Sequence, residues 1–517
     1  MRAQRAEQPS TAPRSPRVTL RRIAPYPAGM RRRLPSLALA TTALVASFAH
    51  PSALEAAPPK ATAPAAKVAP AAPVALASSV ASVDAVTRYT LGNGLDVILH
   101  EDHRTPVVAV NVWYHVGSKD EPKGKNGFAH LFEHLMFQGS KHVGEDMFFR
   151  YLERAGASER NGTTNTDRTN YFEVVPKTQL PLVLWLESDR MGTLLDHVDQ
   201  ATFESQREVV KNERRQSYEN APYGMVWALT RAALYPEGHP YHLTTIGTPE
   251  DLDAASLDDV RAFFRTWYVP NNASLVIAGD IDVARTKELV EKYFGPIAKG
   301  PEAKPAKEAM TIKLPKSKKL VVEAEVELPR LQIAWPSPRG YAPGDADLDL
   351  VAHVLGGGKS SRLHKRLVYD LQIAQDVSVW QDSSLLAGDF GVSVTLRAGH
   401  TPEEALKIVD EEIAALGKKA PSSDEIERGR TEITSGMVFG RERLATRADT
   451  FNFYAQTVGD PGFFGKDLAR YAAATPITVQ KAALDWLAKG KRVVTVVRPT
   501  KGAPRSGKQV SLEETDK

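Results

Sequence analysis

The chain has 517 residues, a formal net charge of +4, 42% apolar and 25% charged residues, and no cysteine. That length and composition suit a globular protein of more than one domain, and so small a charge on so long a chain argues against a nucleic-acid partner. The missing cysteines exclude disulfides, thiolate nucleophiles and cysteine-ligated zinc, so a metal would have to be held by His and carboxylate.

Met30-Arg31-Arg32-Arg33 opens a basic stretch. Leu37 to Ala49 is apolar and ends in the small-x-small triplet Ser47-Phe48-Ala49. This is the pattern of a secretory signal peptide, and the run is shorter than the roughly 20 residues of a membrane span. We expect translation to start at Met30, residues 1–49 to be extension and signal peptide, and the mature protein to be periplasmic or secreted, with no span after cleavage. Residues 50–82 are Ala/Pro-rich and read as a linker.

A first domain is expected over 83–297. Asn93-Gly94 between Thr90-Leu91 and Leu95–Leu99 predicts a hairpin. Val107 to Val116 predicts a strand, Gly127 to Gln138 a helix stopped by Gly139, and Thr163 to Val175 another strand. Helical patterns cover about 178–195 and 202–219. A Pro/Lys-rich linker follows at 298–318, then a second domain over 319–500 and a tail at 501–517. That domain begins with strands at Lys319–Glu323 and Arg330–Trp335, and has helical patterns near 344–356, 360–370, 402–417 and 423–439. Strands and helices do not alternate strictly, which favours an α+β class.

His130 and His134 lie four apart on the predicted helix, so both imidazoles share one face. Zinc takes His nitrogens at about 2.0–2.1 Å, and two such groups one turn apart can meet one ion. Glu133, beside them, can take a proton from a water that the metal acidifies. A catalytic zinc needs a third protein ligand; by residue type, Glu208 and Glu213 on the helix near 202–219 both qualify.

His130-x-x-Glu133-His134 followed by Arg207-Glu208-Val209-Val210-x-x-Glu213 resembles the pitrilysin family, which includes insulin-degrading enzyme and the mitochondrial processing peptidases. Gly127-Phe128-Ala129, Leu135–Ser140, Asn161-Gly162-Thr163-Thr164 and Gly357–Leu363 match its other motifs, from about Val86 to Val497. The resemblance implies a zinc-dependent endopeptidase with one Zn2+ per chain. It makes His130, His134 and Glu213 the ligands and Glu133 the general base. Asn161, Gly162, Thr163 and Thr164 become the strand that receives a peptide. It also implies two homologous domains of helices and antiparallel sheet forming half of a clam-shell chamber.

Two positions depart from the family pattern. Gln206 stands where an accessory Glu is common. Val368 and Gln375 stand where an Arg and a Tyr often contact the substrate carbonyl and oxyanion. The expected consequence is an assembly with a homologous chain that carries the Arg/Tyr pair, or a homodimer. The competing expectation is a non-catalytic or metal-dependent peptide-binding subunit of the same fold.

Overall fold

The computed structural model describes residues 85–304, 309, 310 and 312–516. The expected signal peptide and Ala/Pro linker lie outside the described residues. The Asn93-Gly94 turn forms between β1 (Thr87–Thr90) and β2 (Asp96–Glu101), which pair antiparallel. Gly94 takes φ 92°, and a Cβ there would come within 2.7 Å of the Asn271 side chain. The Asn93 carboxamide accepts from the Leu95 N–H and donates to the Phe294 and Ile297 carbonyls, which ties the turn to the domain.

β3 (Val107–Tyr114), β4 (Glu159–Thr164), β5 (Thr169–Pro176) and β6 (Ala273–Gly279) complete a six-stranded sheet in the order β1-β2-β6-β3-β5-β4. The second sheet takes β7 (Ser317–Ala324), β8 (Arg330–Ser337), β9 (Ala374–Ser383), β10 (Gly388–Leu396), β11 (Val493–Pro499) and β12 (Lys508–Thr515), ordered β12-β7-β11-β8-β10-β9. Each sheet carries one parallel pair, β2/β6 and β7/β11, among antiparallel neighbours. The shared plan makes the halves two copies of one mixed α/β architecture.

Two expectations are corrected. Thr163 to Val175 is a hairpin, not one strand, because the Asn165 side chain accepts from the Asp167 and Arg168 N–H groups and turns the chain. The expected tail at 501–517 instead supplies β12, an edge strand paired antiparallel with β7.

β3 is buried on both faces, hence an apolar run that only Asn111 interrupts. Val108, Val110, Val112 and Tyr114 enter a core with helices Phe128–Leu135, Leu180–Thr193 and Gln200–Arg214. Ala109 faces the other way, where Ala445, Ala448 and Phe451 of helix Leu444–Thr457 cover it. That helix comes from the second half of the chain. In return, Leu234 and Ala233 of helix Val226–Leu234, from the first half, pack with Leu320, Ala334 and Val493 of the second sheet. The halves exchange one helix each.

Candidate metal centre and peptide-binding edge

Helix Phe128–Leu135 divides cleanly between two faces. Phe128, Leu131, Phe132 and Leu135 are buried in the core, while His130, Glu133 and His134 are half-buried on the opposite side. Gly127 precedes it at φ 101°, with its backbone against Gly247, where a Cβ would meet the Gly247 Cα at 2.8 Å. Glu121 caps the helix. Its carboxylate accepts from the Gly127 and Ala129 N–H groups at 3.0 and 2.9 Å and from the Asn126 side chain at 2.9 Å. Burial still pushes the Glu121 pKa up to about 8, against those three bonds. Sequence reasoning missed this residue; an acidic group just upstream of a helix start was its signal. The helix ends at Leu135, earlier than expected, because Phe137 and Gln138 turn with bonds to the His134 and Leu135 carbonyls before Gly139.

Helix Gln200–Arg214 starts at Asp199, whose side chain accepts from the Thr202 N–H. Its last turn brings Glu213 to the two imidazoles. Glu213 Oε2 is 3.4 Å from His134 Nε2 and 3.8 Å from His130 Nε2. One ligand atom from each of the three residues lies within 4.8 Å of the others, the one such cluster of His and acidic groups among the described residues. Glu208 is elsewhere: 52% exposed and paired with Lys211 at 3.0 Å. Gln206, two turns before Glu213, is buried.

Burial pulls the His130 pKa down to about 4, helped by the neighbouring His134. The His134 imidazole and, further off, His130 hold the Glu213 carboxyl below its ordinary value. His130 is therefore a neutral imidazole and Glu213 a carboxylate at neutral pH. Burial raises the Glu133 carboxyl, opposed by the Thr164 hydroxyl, His134 and Arg168.

Thr164 ends β4, the outermost strand of the first sheet, which among the described residues pairs only with β5. The Asn165 N–H donates to the Arg168 carbonyl at 3.0 Å, which makes these two a hydrogen-bonded pair. Antiparallel pairs alternate, so Thr163/Asn170 and Asn161/Phe172 also bond inward. The main-chain groups of Gly162 and Thr164 then face the open edge. Gly162 is buried beneath Phe137 and Tyr171; a Cβ there would stand 3.0 Å from both rings. The expected strand Asn161–Thr164 and the expected metal-binding residues thus meet at one place, with Glu133 between them.

The second domain repeats the frame but not the chemistry. His353 Nε2 lies 2.6 Å from Glu432 Oε2, 79 residues apart, the same interval as His134 to Glu213. On that match Ala352 stands for Glu133 and Asp349 for His130. Asp349 accepts from the Tyr471 hydroxyl, and Glu432 is 69% exposed. Val368 is half-buried in the helical segment His364–Asp370, and Gln375 is exposed on β9.

Residues 96–244 match the model of insulinase, peptidase family M16, and residues 254–433 match the peptidase M16 inactive domain. Zinc protease PqqE of Helicobacter pylori is 31% identical over 335 residues, covering 64% of this chain and 73% of that protein. The crystal structure of a protease from Helicobacter pylori superposes with a TM-score of 0.74 at 25% identity, over 81% of this chain and 100% of the other. The periplasmic protease PqqL of Escherichia coli superposes with a TM-score of 0.66 at 17% identity, over 80% of this chain but 48% of the other, and shares the fold. With both halves matched in order by the paired models of one family, the chain is a member of peptidase family M16.

Proposed function

We propose that this protein is the zinc-bearing chain of an exported peptidase that hydrolyses peptides or unfolded segments. One observation carries the reading: Glu213, distant in sequence, converges within 4.8 Å of His130 and His134 beside Glu133 and an open strand edge. The donor set fits zinc, since two imidazole nitrogens and one carboxylate oxygen leave a fourth position free. When bound, zinc supplies Lewis acidity, acidifying water towards a pKa of about 7 and polarising a carbonyl.

The chain's own residues do the rest. Main-chain groups of Gly162 and Thr164 bind an extended peptide by strand addition, which is weakly selective for sequence. Glu133 Oε takes the proton of the attacking water, holds it, and passes it to the departing amine nitrogen. Raised by burial, the Glu133 carboxyl sets the acidic limb of kcat/KM above the ordinary Glu pKa of about 4.3. The Thr164 hydroxyl lowers that pKa, so Thr164→Val is expected to move the limb to higher pH. A pH–rate profile with an unmoved limb contradicts the assignment.

Val368 and Gln375 supply neither a guanidinium nor a phenol, and a missing oxyanion donor costs about 10²–10³ in kcat. The match to half of a longer structure supports a chamber of two such chains, with a homologous partner that carries an Arg and a Tyr providing the clamp. The fitting test is cleavage of a mixed peptide library by the full chain, with and without a candidate partner and with and without chelator. We expect strong cleavage only with partner and metal together. Full activity of the purified single chain contradicts the shared site. Metal-dependent peptide binding without turnover in every arm supports a non-catalytic subunit instead.

A further inference from the structure

The peptide edge is also held from behind. On the sheet face turned away from the metal centre, Asp449 of helix Leu444–Thr457 accepts three hydrogen bonds on one oxygen. They come from Asn111 Nδ2 at 3.1 Å, Trp113 Nε1 at 2.9 Å and Asn170 Nδ2 at 3.0 Å. The other end of Asn170, its Oδ1, accepts from the Thr163 hydroxyl at 2.6 Å, and Thr163 lies in β4. Arg168, stacked on the Trp113 ring at 5.1 Å, donates to the Thr163 carbonyl at 2.8 Å. The direction of each link is set by chemistry. Indole N–H and amide NH2 only donate and a carboxylate only accepts, so Asp449 fixes which end of Asn170 meets Thr163.

We infer that Asp449 is a positioning residue by which the second domain keeps the peptide-binding edge of the first in its binding-ready form. This rests on the reading of β4 as that edge. Among the described residues β4 has one strand neighbour, β5, so on the face away from the metal centre its order rests on this relay. A frayed edge must be ordered each time a peptide binds, which weakens affinity and leaves chemistry alone. Glu133 and the metal-binding residues stand on the other face and lie outside the relay.

Asn452 supplies the control. It sits on the same helix, accepts from Ser274 Oγ at 2.7 Å and donates to the Asn111 carbonyl at 3.0 Å and, at 3.5 Å, to Asn111 Oδ1; none of these bonds is to β4 itself. In the full chain, with its partner where turnover requires one, Asp449→Ala is expected to speed amide exchange at Asn161 and Thr163 and to raise KM, each about 10-fold. We expect kcat to change less than about 2-fold, with zinc stoichiometry unchanged. Asn452→Ala is expected to lower Tm and do neither. Unchanged exchange at Asn161 and Thr163 in Asp449→Ala overturns the inference, as does an equal effect from Asn452→Ala. If Asp449→Ala does not fold, Asp449→Leu, which fills the space but has no acceptor, is compared with Asn452→Ala by the same exchange measurement and the same criteria. If the wild type cleaves no peptide, the peptidase reading falls, and the exchange comparison still decides the role of Asp449.

Discussion

Glu133→Gln is expected to keep the metal and lose the reaction. Glu133 shares the half-buried face of helix Phe128–Leu135 with His130 and His134 but is absent from the cluster they form with Glu213. The amide keeps the size of the side chain and removes its ability to accept a proton. Loss of a positioned general base costs about 10²–10⁴ in rate, and both proton transfers of the proposed mechanism run through this carboxylate. Zinc content should stay at one per chain, with kcat down by at least about 100-fold and KM nearly unchanged. The core contacts of Phe128, Leu131, Phe132 and Leu135 are untouched, so Tm should hold. Cleavage at the wild-type rate with zinc still bound would remove Glu133 as the base and would require another proton acceptor. A loss of zinc would instead mean that the carboxylate contributes to the metal site.

Much of this site is legible in the sequence because it is local. A spacing of four residues on a helix puts two imidazoles together whatever surrounds them, and the buried remainder of that helix is visible in its apolar pattern. The Asn93-Gly94 hairpin is local in the same sense. What depends on distant packing is harder to read. An amphipathic helix announces that it has an apolar face, not which sheet receives it, so the exchange of Val226–Leu234 and Leu444–Thr457 between the halves leaves no mark in either segment. β12 escapes notice for a different reason. Lys508–Thr515 is exposed along nearly its whole length, and its one alternating apolar pair, Val510 and Leu512, is too short a pattern among polar neighbours to betray an edge strand. Asp449 is invisible at the sequence level too: three of its partners lie on two strands more than 270 residues away. It is the folded exchange of helices that gives an otherwise ordinary acidic residue its position.

The choice between Glu208 and Glu213 has the same origin and yields the second large effect. Both are glutamates on one helix, and nothing in residue type separates them. At about 100° per residue, five positions turn the side chain by about 140°, so only one of the two can face His130 and His134. The fold selects Glu213, 24% exposed and 3.4 Å from His134, and leaves Glu208 with Lys211 in solvent. Glu213→Ala removes one of three donors, which should weaken zinc binding by more than the 10–100-fold loss typical of outer-shell changes. Cleavage at limiting zinc should fall in parallel and return in part when zinc is raised. Glu208→Ala should leave both unchanged, its pair with Lys211 being an exposed contact worth at most about 1 kcal/mol. Competition with a chromophoric chelator measures the two affinities directly. If Glu208→Ala weakens zinc and Glu213→Ala does not, the third ligand is not the residue that the packing of these two helices selects. Removing the side chain leaves the imidazoles of His130 and His134 as two donors, which is why partial rescue by added zinc is expected.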